Sequence, residues 1–200
     1  MVSTYSKMSL VKTNASISII MKKLLILLFS ILISFNSLGV ELDRLFGISL
    51  YENAGNYVSS NYIDSNKIKH KETHGDYFNV DFSEVIPEKS PYFSFYRVTI
   101  NNNKIHSIYG AYEFDNLSRC QDVQKSLLSD LKIKYQIETQ YSEISYPEFK
   151  IYTDVYITDS NNYFALQCKE TYPSTTYDLQ MFLDSSDLDG AIRKFYDSGL

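Results

Sequence analysis

The chain holds only two cysteines, and their positions constrain its fold more than any other feature. Cys120 falls in the first turn of an amphipathic segment, 118–135, and Cys168 falls inside a strand-like run, 163–172. In the first segment Cys120, Val123, Leu127, Leu131 and Tyr135 step by three and four, which is one face of a 3.6-residue period, and Leu128 widens that stripe. Lys125, Asp130, Lys132 and Lys134 fall on the other side. Ser118 followed by Gln121 has the pattern of a capping box, in which a hydroxyl accepts from a free first-turn N–H. In the second segment Phe164, Leu166 and Cys168 alternate with Tyr163, Ala165, Gln167 and Lys169, so the thiol shares the apolar face of a strand. A helix laid on that face brings both sulfurs into one layer. An even pair of thiols in an exported chain predicts a disulfide between Cys120 and Cys168. The competing chemistry, a Cys120 thiolate with His106 as its base, has no motif behind it, and an oxidising compartment would consume the thiol.

Export is read from the N-terminal region. Met21 opens a secretory signal pattern: Lys22 and Lys23 are basic, 24–33 is apolar apart from Ser30, and Ser37-Leu38-Gly39 offers small residues at the two positions a signal peptidase reads. The expected start is Met21 and the expected cleavage falls before Val40. Residues 1–39 are then an N-terminal extension plus signal peptide, and 40–200 are a single domain of a periplasmic or secreted protein. The apolar run is shorter than the roughly 20 residues of a spanning helix. No cysteine follows the small-residue site, so a lipid anchor does not fit either.

Charge narrows the partners. Lys7, Lys12, Lys22 and Lys23 are the only charged residues of 1–39, so the formal net charge of −5 for the whole chain becomes −9 for 40–200. An acidic chain with no basic cluster argues against nucleic acid and against docking on anionic lipid. No membrane insertion is expected after signal cleavage.

In chain order, Ser49 to Glu52 is a second capping-box pattern, and Tyr51, Ala54, Tyr57 and Val58 follow at helical spacing, which predicts a short helix over 50–59. The polar stretch 59–75 reads as a mobile loop, with 62–68 able to pair at a sheet edge. Strands are predicted over 77–82, 93–100 and 105–114; the last two are joined at Asn101-Asn102-Asn103-Lys104. Gly110 marks a bulge or a close backbone approach. After the central helix, 136–147 reads as a connecting loop. Three two-faced strands follow over 149–158, 163–169 and 177–184. On the first, Phe149, Ile151, Thr153, Val155 and Ile157 are assigned to the core face. Ser186, with Asp189 three residues on, caps a last short helix whose apolar stripe is Leu188, Ala191, Ile192 and Phe195. The expected fold is α+β: an antiparallel sheet built from two α-βββ units, with helices packed on one face and a single disulfide.

Few residues carry chemistry. His70 and His74 are four apart, but Lys71-Glu72-Thr73 between them does not complete HExxH, so they are weak metal candidates. His106 opens a strand and reads as a packed or surface histidine. Asp184, Asp187 and Asp189 surround a helix start, where carboxylates complement the dipole. Asn116-Leu117-Ser118 fits a glycosylation sequon. The sequence contains no nucleophile elbow, no phosphate-cradling glycine loop and no dinucleotide fingerprint, so no catalytic residue and no cofactor is assigned. Tyr152, Tyr156, Tyr163, Gln167, Gln180 and Phe182 are assigned to the sheet face opposite the core, an aromatic and polar patch suited to a protein partner. The expected function is that of an exported, non-enzymatic binding module, such as an inhibitor or immunity-type envelope protein. The alternatives are a metal-dependent hydrolase using His70 and His74, or a small-ligand carrier. Partner identity and oligomeric state stay open.

Overall fold

Alternating strands need neighbours, and here they find them in two meanders that meet at the centre of one sheet. The computed structural model describes residues 42–173 and 176–198; the segment read from sequence as a signal peptide, and its expected cleavage before Val40, lie outside them. The first meander is β3 (Ile68–Lys69), β4 (Phe78–Asp81), β5 (Phe95–Asn101) and β6 (Lys104–Phe114). The second is β7 (Gln140–Ser145), β8 (Phe149–Ile157), β9 (Tyr163–Thr171) and β10 (Thr176–Asp184). Their last strands pair antiparallel, Tyr177 with Phe114 through Asp184 with Ser107. The strand order is therefore β3-β4-β5-β6-β10-β9-β8-β7. A separate hairpin, β1 (Arg44–Leu45) and β2 (Ile48–Ser49), precedes them. The helices are α1 (Ser60–Asn66), α2 (Leu117–Tyr135) and α3 (Ser186–Asp197). The class is α+β with an antiparallel sheet and one disulfide.

Register divides the side chains between two faces. On the first, Phe164, Leu166 and Cys168 of β9 stand beside Leu183, Met181 and Leu179 of β10. Ile108 of β6 and Val98 and Val80 of β5 and β4 continue the row. All of these are buried. Burying one such side chain contributes about 1.5–3 kcal/mol. α2 covers the β9 end of this face. The 42–58 segment covers the other end through Leu42, Leu45, Ile48 and Ala54, together with Phe82, Ile86 and Phe93.

α2 is capped by Asn116, whose side chain accepts from the Arg119 N–H at 2.8 Å, and it ends at Gln136 in the left-handed region at φ 54°. Ser118 is thus inside the helix rather than its cap; Asn116 takes that role two residues earlier, on the Arg119 N–H. The fully buried line is Cys120, Gln124 and Leu128, with Val123, Leu127, Leu131 and Tyr135 packed beside it. The Cys120–Cys168 disulfide forms at a Cα–Cα distance of 6.0 Å.

Phe46 and Gly47 form the β1–β2 turn with φ of 53° and 81°. A positive φ is costly at a phenylalanine. The ring offsets that cost by packing edge-on against Phe93 and Tyr96. It also lies on Gly110, where an added Cβ would sit 2.7 Å from the ring. Gly110 is therefore a close approach, and the bulge of this hairpin falls instead at the Thr99/Ile100 step.

Several segments depart from the sequence reading. Over 50–59 there is no α-helix: Tyr51 has φ 64°, and only a 3₁₀ turn forms at Ala54–Asn56. The Ser49 N–H does bond Glu52 Oε2 at 3.2 Å, but the backbone around it is claimed by the β5–β6 hairpin. Tyr51 N–H donates to Ile105 O, Ala54 N–H to Asn103 O, and Ile105 N–H to Glu52 O. The stretch 59–75 holds α1, capped by Ser59, and β3. The stretch 136–147 holds β7, exposed along its whole length. β8 is turned over: Tyr152, Asp154 and Tyr156 pair with Cys168, Leu166 and Phe164 and so join the first face. Ser185, not Ser186, caps α3, accepting from Leu188 N–H at 3.2 Å. The helices also do not share one face. α3 folds over the second, where Leu188 and Ile192 meet Tyr109, Phe182 and Ser107.

Candidate functional site

The second face is built from the alternate residues of the same strands. β5 supplies Phe95, Arg97 and Thr99, and β6 supplies Ser107 and Tyr109 across from them. β10 supplies Gln180, Phe182 and Asp184, which stand beside Gln167, Ala165 and Tyr163 of β9. β8 adds Thr153, Val155 and Ile157. The side chains lie against one another. The Arg97 guanidinium sits over the Tyr109 ring at 4.6 Å, Tyr163 stacks on Phe182 at 5.9 Å, and Gln167 Nε2 donates to Gln180 Oε1 at 2.7 Å. Phe95 and Ile157 are exposed.

Of the six residues assigned to a partner face from sequence, the structure brings four together here: Tyr163, Gln167, Gln180 and Phe182. Tyr152 and Tyr156 lie on the other face, under α2 and among the core, because β8 is inverted. Arg97, Phe95 and Tyr109 were not assigned. Phe95 and Arg97 alternate with Tyr96 and Val98, so their common face was legible, but the Asn102-Asn103 turn alone would set Arg97 opposite Ile108, and it is the bulge at Thr99/Ile100 that moves it to Tyr109.

At one end of this face, α3 and the loop 70–76 stand over the sheet. His74 packs against Phe195 with ring centroids 5.0 Å apart and planes tilted by 45°, and its Nε2 is 3.0 Å from Ser198 Oγ. His70 Nδ1 accepts from the Glu72 N–H at 3.2 Å. Burial holds the His70 imidazole below its ordinary pKa, opposed by Glu72 and reinforced by Arg97. The two histidines are thus tied to different neighbours. Among the described residues no group of three or more His, Cys, Asp or Glu is placed to hold a metal ion. Two adjoining cavities, of about 530 and 240 Å³, share His70, Glu72 and Arg97 in their walls.

His106 stands in a further cleft of about 810 Å³ that includes Asp187. Its Nδ1 is 3.0 Å from Ser185 Oγ and 4.0 Å from Asp187 Oδ2. The residue types are those of a hydrolytic triad, but the geometry is not. A triad places serine and aspartate on different ring nitrogens, whereas both oxygens here approach Nδ1. Ser185 is also fully buried and already caps α3. Burial lowers the His106 pKa, with Asp187 opposing and Lys104 adding to the effect. This cluster fixes the β10–α3 corner. The other nucleophile considered, Cys120, is consumed in the disulfide.

Asp184 gives a pH prediction. Burial pushes its carboxyl up to about 6; Ser107 and Arg97 act downward and Asp189 upward. Between pH 4 and 6 the unfolded chain releases this proton while the folded chain keeps it, so stability falls as pH rises and stays lower above pH 6. Asp184→Asn is therefore expected to raise unfolding free energy at neutral pH by about 1–2 kcal/mol, less than the full linkage value because the side chain is only half-buried. Urea unfolding of both proteins at acid and neutral pH checks this: the gain should vanish at the acid end.

No family model, curated protein or solved structure matches the chain.

Proposed function

We propose that this chain is an extracytoplasmic, non-enzymatic binding module that holds another protein against the second face of its sheet. The observation that carries the reading is the array of Tyr163, Gln167, Gln180 and Phe182, laid flat beside exposed Ile157. Aromatic and amide side chains already held by their neighbours lose little freedom on contact, which suits a protein interface. A buried disulfide favours an oxidising compartment. No described helix is long and apolar enough to cross a membrane. The signal pattern at 21–39 accounts for export. The two halves are read as one unit used twice, each with a helix followed by an antiparallel meander, joined where β6 meets β10.

The test is site-specific photocrosslinking in the native host. A photoreactive residue at Ile157 or Gln167 should give an adduct of one defined mass, and the same residue at exposed Lys132 on α2 should give none. Adducts that are absent from the sheet positions, or equal at all three, sink the reading.

A further inference from the structure

Two side chains of the second face leave a buried polar atom without a hydrogen-bond partner among the described residues: Thr153 Oγ1 on β8, and the charged Arg97 on β5. Its guanidinium lies over Tyr109, yet its Nε is buried and finds no hydrogen-bond acceptor among the described residues. A buried N–H without an acceptor is costly, and such groups in folded proteins normally have a partner. The Arg97 side chain also lines the wall shared by the two adjoining cavities, as does His70. His70 Nδ1 accepts from the Glu72 N–H, so in the neutral ring the proton sits on Nε2, a second donor. Phe95 walls the larger cavity; Tyr109, Phe182 and Ile192 wall the smaller.

We infer that the Arg97–His70 cleft is a binding site for a monocarboxylate with a compact aromatic or aliphatic body. A planar carboxylate matches the fork of an arginine. The apolar walls take the body of the ligand, as small-molecule sites generally do. Charge balance suits a single negative charge: in the larger cavity Lys69, Lys71 and Arg97 outnumber Glu72 and Asp81 by one, and in the smaller Glu72 and Asp184 outnumber Arg97. The same chemistry is offered by a free organic acid and by the C-terminal residue of a peptide. The site adjoins the Gln167–Gln180 array at Phe182, but it rests on Arg97 and His70, which the partner reading does not use.

The test is a titration followed at the arginine Nε–Hε cross-peaks of the folded protein, four in all, with Arg97 identified by the loss of its peak in Arg97→Lys. The probes are 3-phenylpropanoate, acetyl-Gly-Phe as the free acid, acetyl-Gly-Phe amide and inorganic phosphate. Both carboxylates should shift the Arg97 peak, and calorimetric titration of wild type and Arg97→Lys, which lacks that peak, should show binding weakened about tenfold or more in the variant. Tighter binding of phenylpropanoate assigns a free acid, and tighter binding of the peptide acid assigns a chain terminus. Phe95→Ala, on an exposed ring, should weaken phenylpropanoate without changing the melting temperature. The inference is overturned if neither carboxylate moves the Arg97 peak at millimolar concentration. It is equally overturned if the amide or phosphate moves it as far, or if Arg97→Lys binds as well as the wild type.

Discussion

Replacing both cysteines, Cys120→Ala with Cys168→Ala, is expected to lower the unfolding free energy by about 4 kcal/mol. The bridge spans a sequence separation of 48 and ties the first turn of α2 to the centre of β9. The loop it closes contains β7 and β8, the two strands of the sheet beyond β9. Without the bridge the unfolded chain regains the freedom of that loop, and the chain-entropy relation gives the figure above. Alanine is the right replacement because both sulfurs are fully buried in an apolar layer, and a serine hydroxyl there would add a desolvation cost of its own. For a domain of this size the melting temperature should fall by roughly 10 °C. Urea unfolding at neutral pH provides the measurement, and wild-type protein unfolded and refolded under reductant should match the double variant. A loss under about 1 kcal/mol in both experiments would mean that packing alone holds α2 on the sheet.

The disulfide was legible because each thiol sat on an apolar face of its own element, and two such faces have one way to meet. The strands of the second half were legible for the same reason, since a period of two is hard to mistake over nine residues. Periodicity separates the two faces of a strand without saying which one the helix covers. In β8 the set Phe149, Ile151, Val155 and Ile157 is the more apolar, yet Tyr152, Asp154 and Tyr156 face α2. The deciding group is on another element: Gln124 of α2 offers an amide to that side of β8, and no strand pattern reveals it. The Ser49–Glu52 pattern misled in a related way. The bond it predicts is present, but the backbone donors that a helix would need are taken up by the hairpin tip at Asn103 and Ile105. β7 has no apolar alternation at all and exists because β8 offers it a ladder. The β8 part of the partner face and the Arg97 cleft therefore depended on tertiary register, which single-strand reasoning does not carry.

Gln124→Leu is expected to cost about 3 kcal/mol, nearly as much as Gln124→Ala. Gln124 is 4 % exposed, and its Nε2 donates to Tyr152 O, Leu166 O and Asp154 Oδ2, each at 3.1 Å. The two hydrogens of this amide nitrogen are thus shared among the carbonyls of two adjacent strands and a buried carboxyl group. The other Asp154 oxygen accepts from Thr139 Oγ1 at 3.1 Å, so removing the amide leaves that carboxyl with a single donor. Leucine fills most of the space that alanine leaves empty. If packing were the main contribution, Leu would recover most of the loss; if the amide is what matters, Leu and Ala behave alike, because neither donates a hydrogen bond. Adding Asp154→Asn to Gln124→Leu should then recover part of the loss, since an uncharged side chain with its own N–H donors is less costly beside the two carbonyls. The measurement is a double-mutant cycle in urea. Gln124→Leu within about 0.5 kcal/mol of wild type, or no recovery on adding Asp154→Asn, would show that α2 holds β8 by shape rather than by this amide.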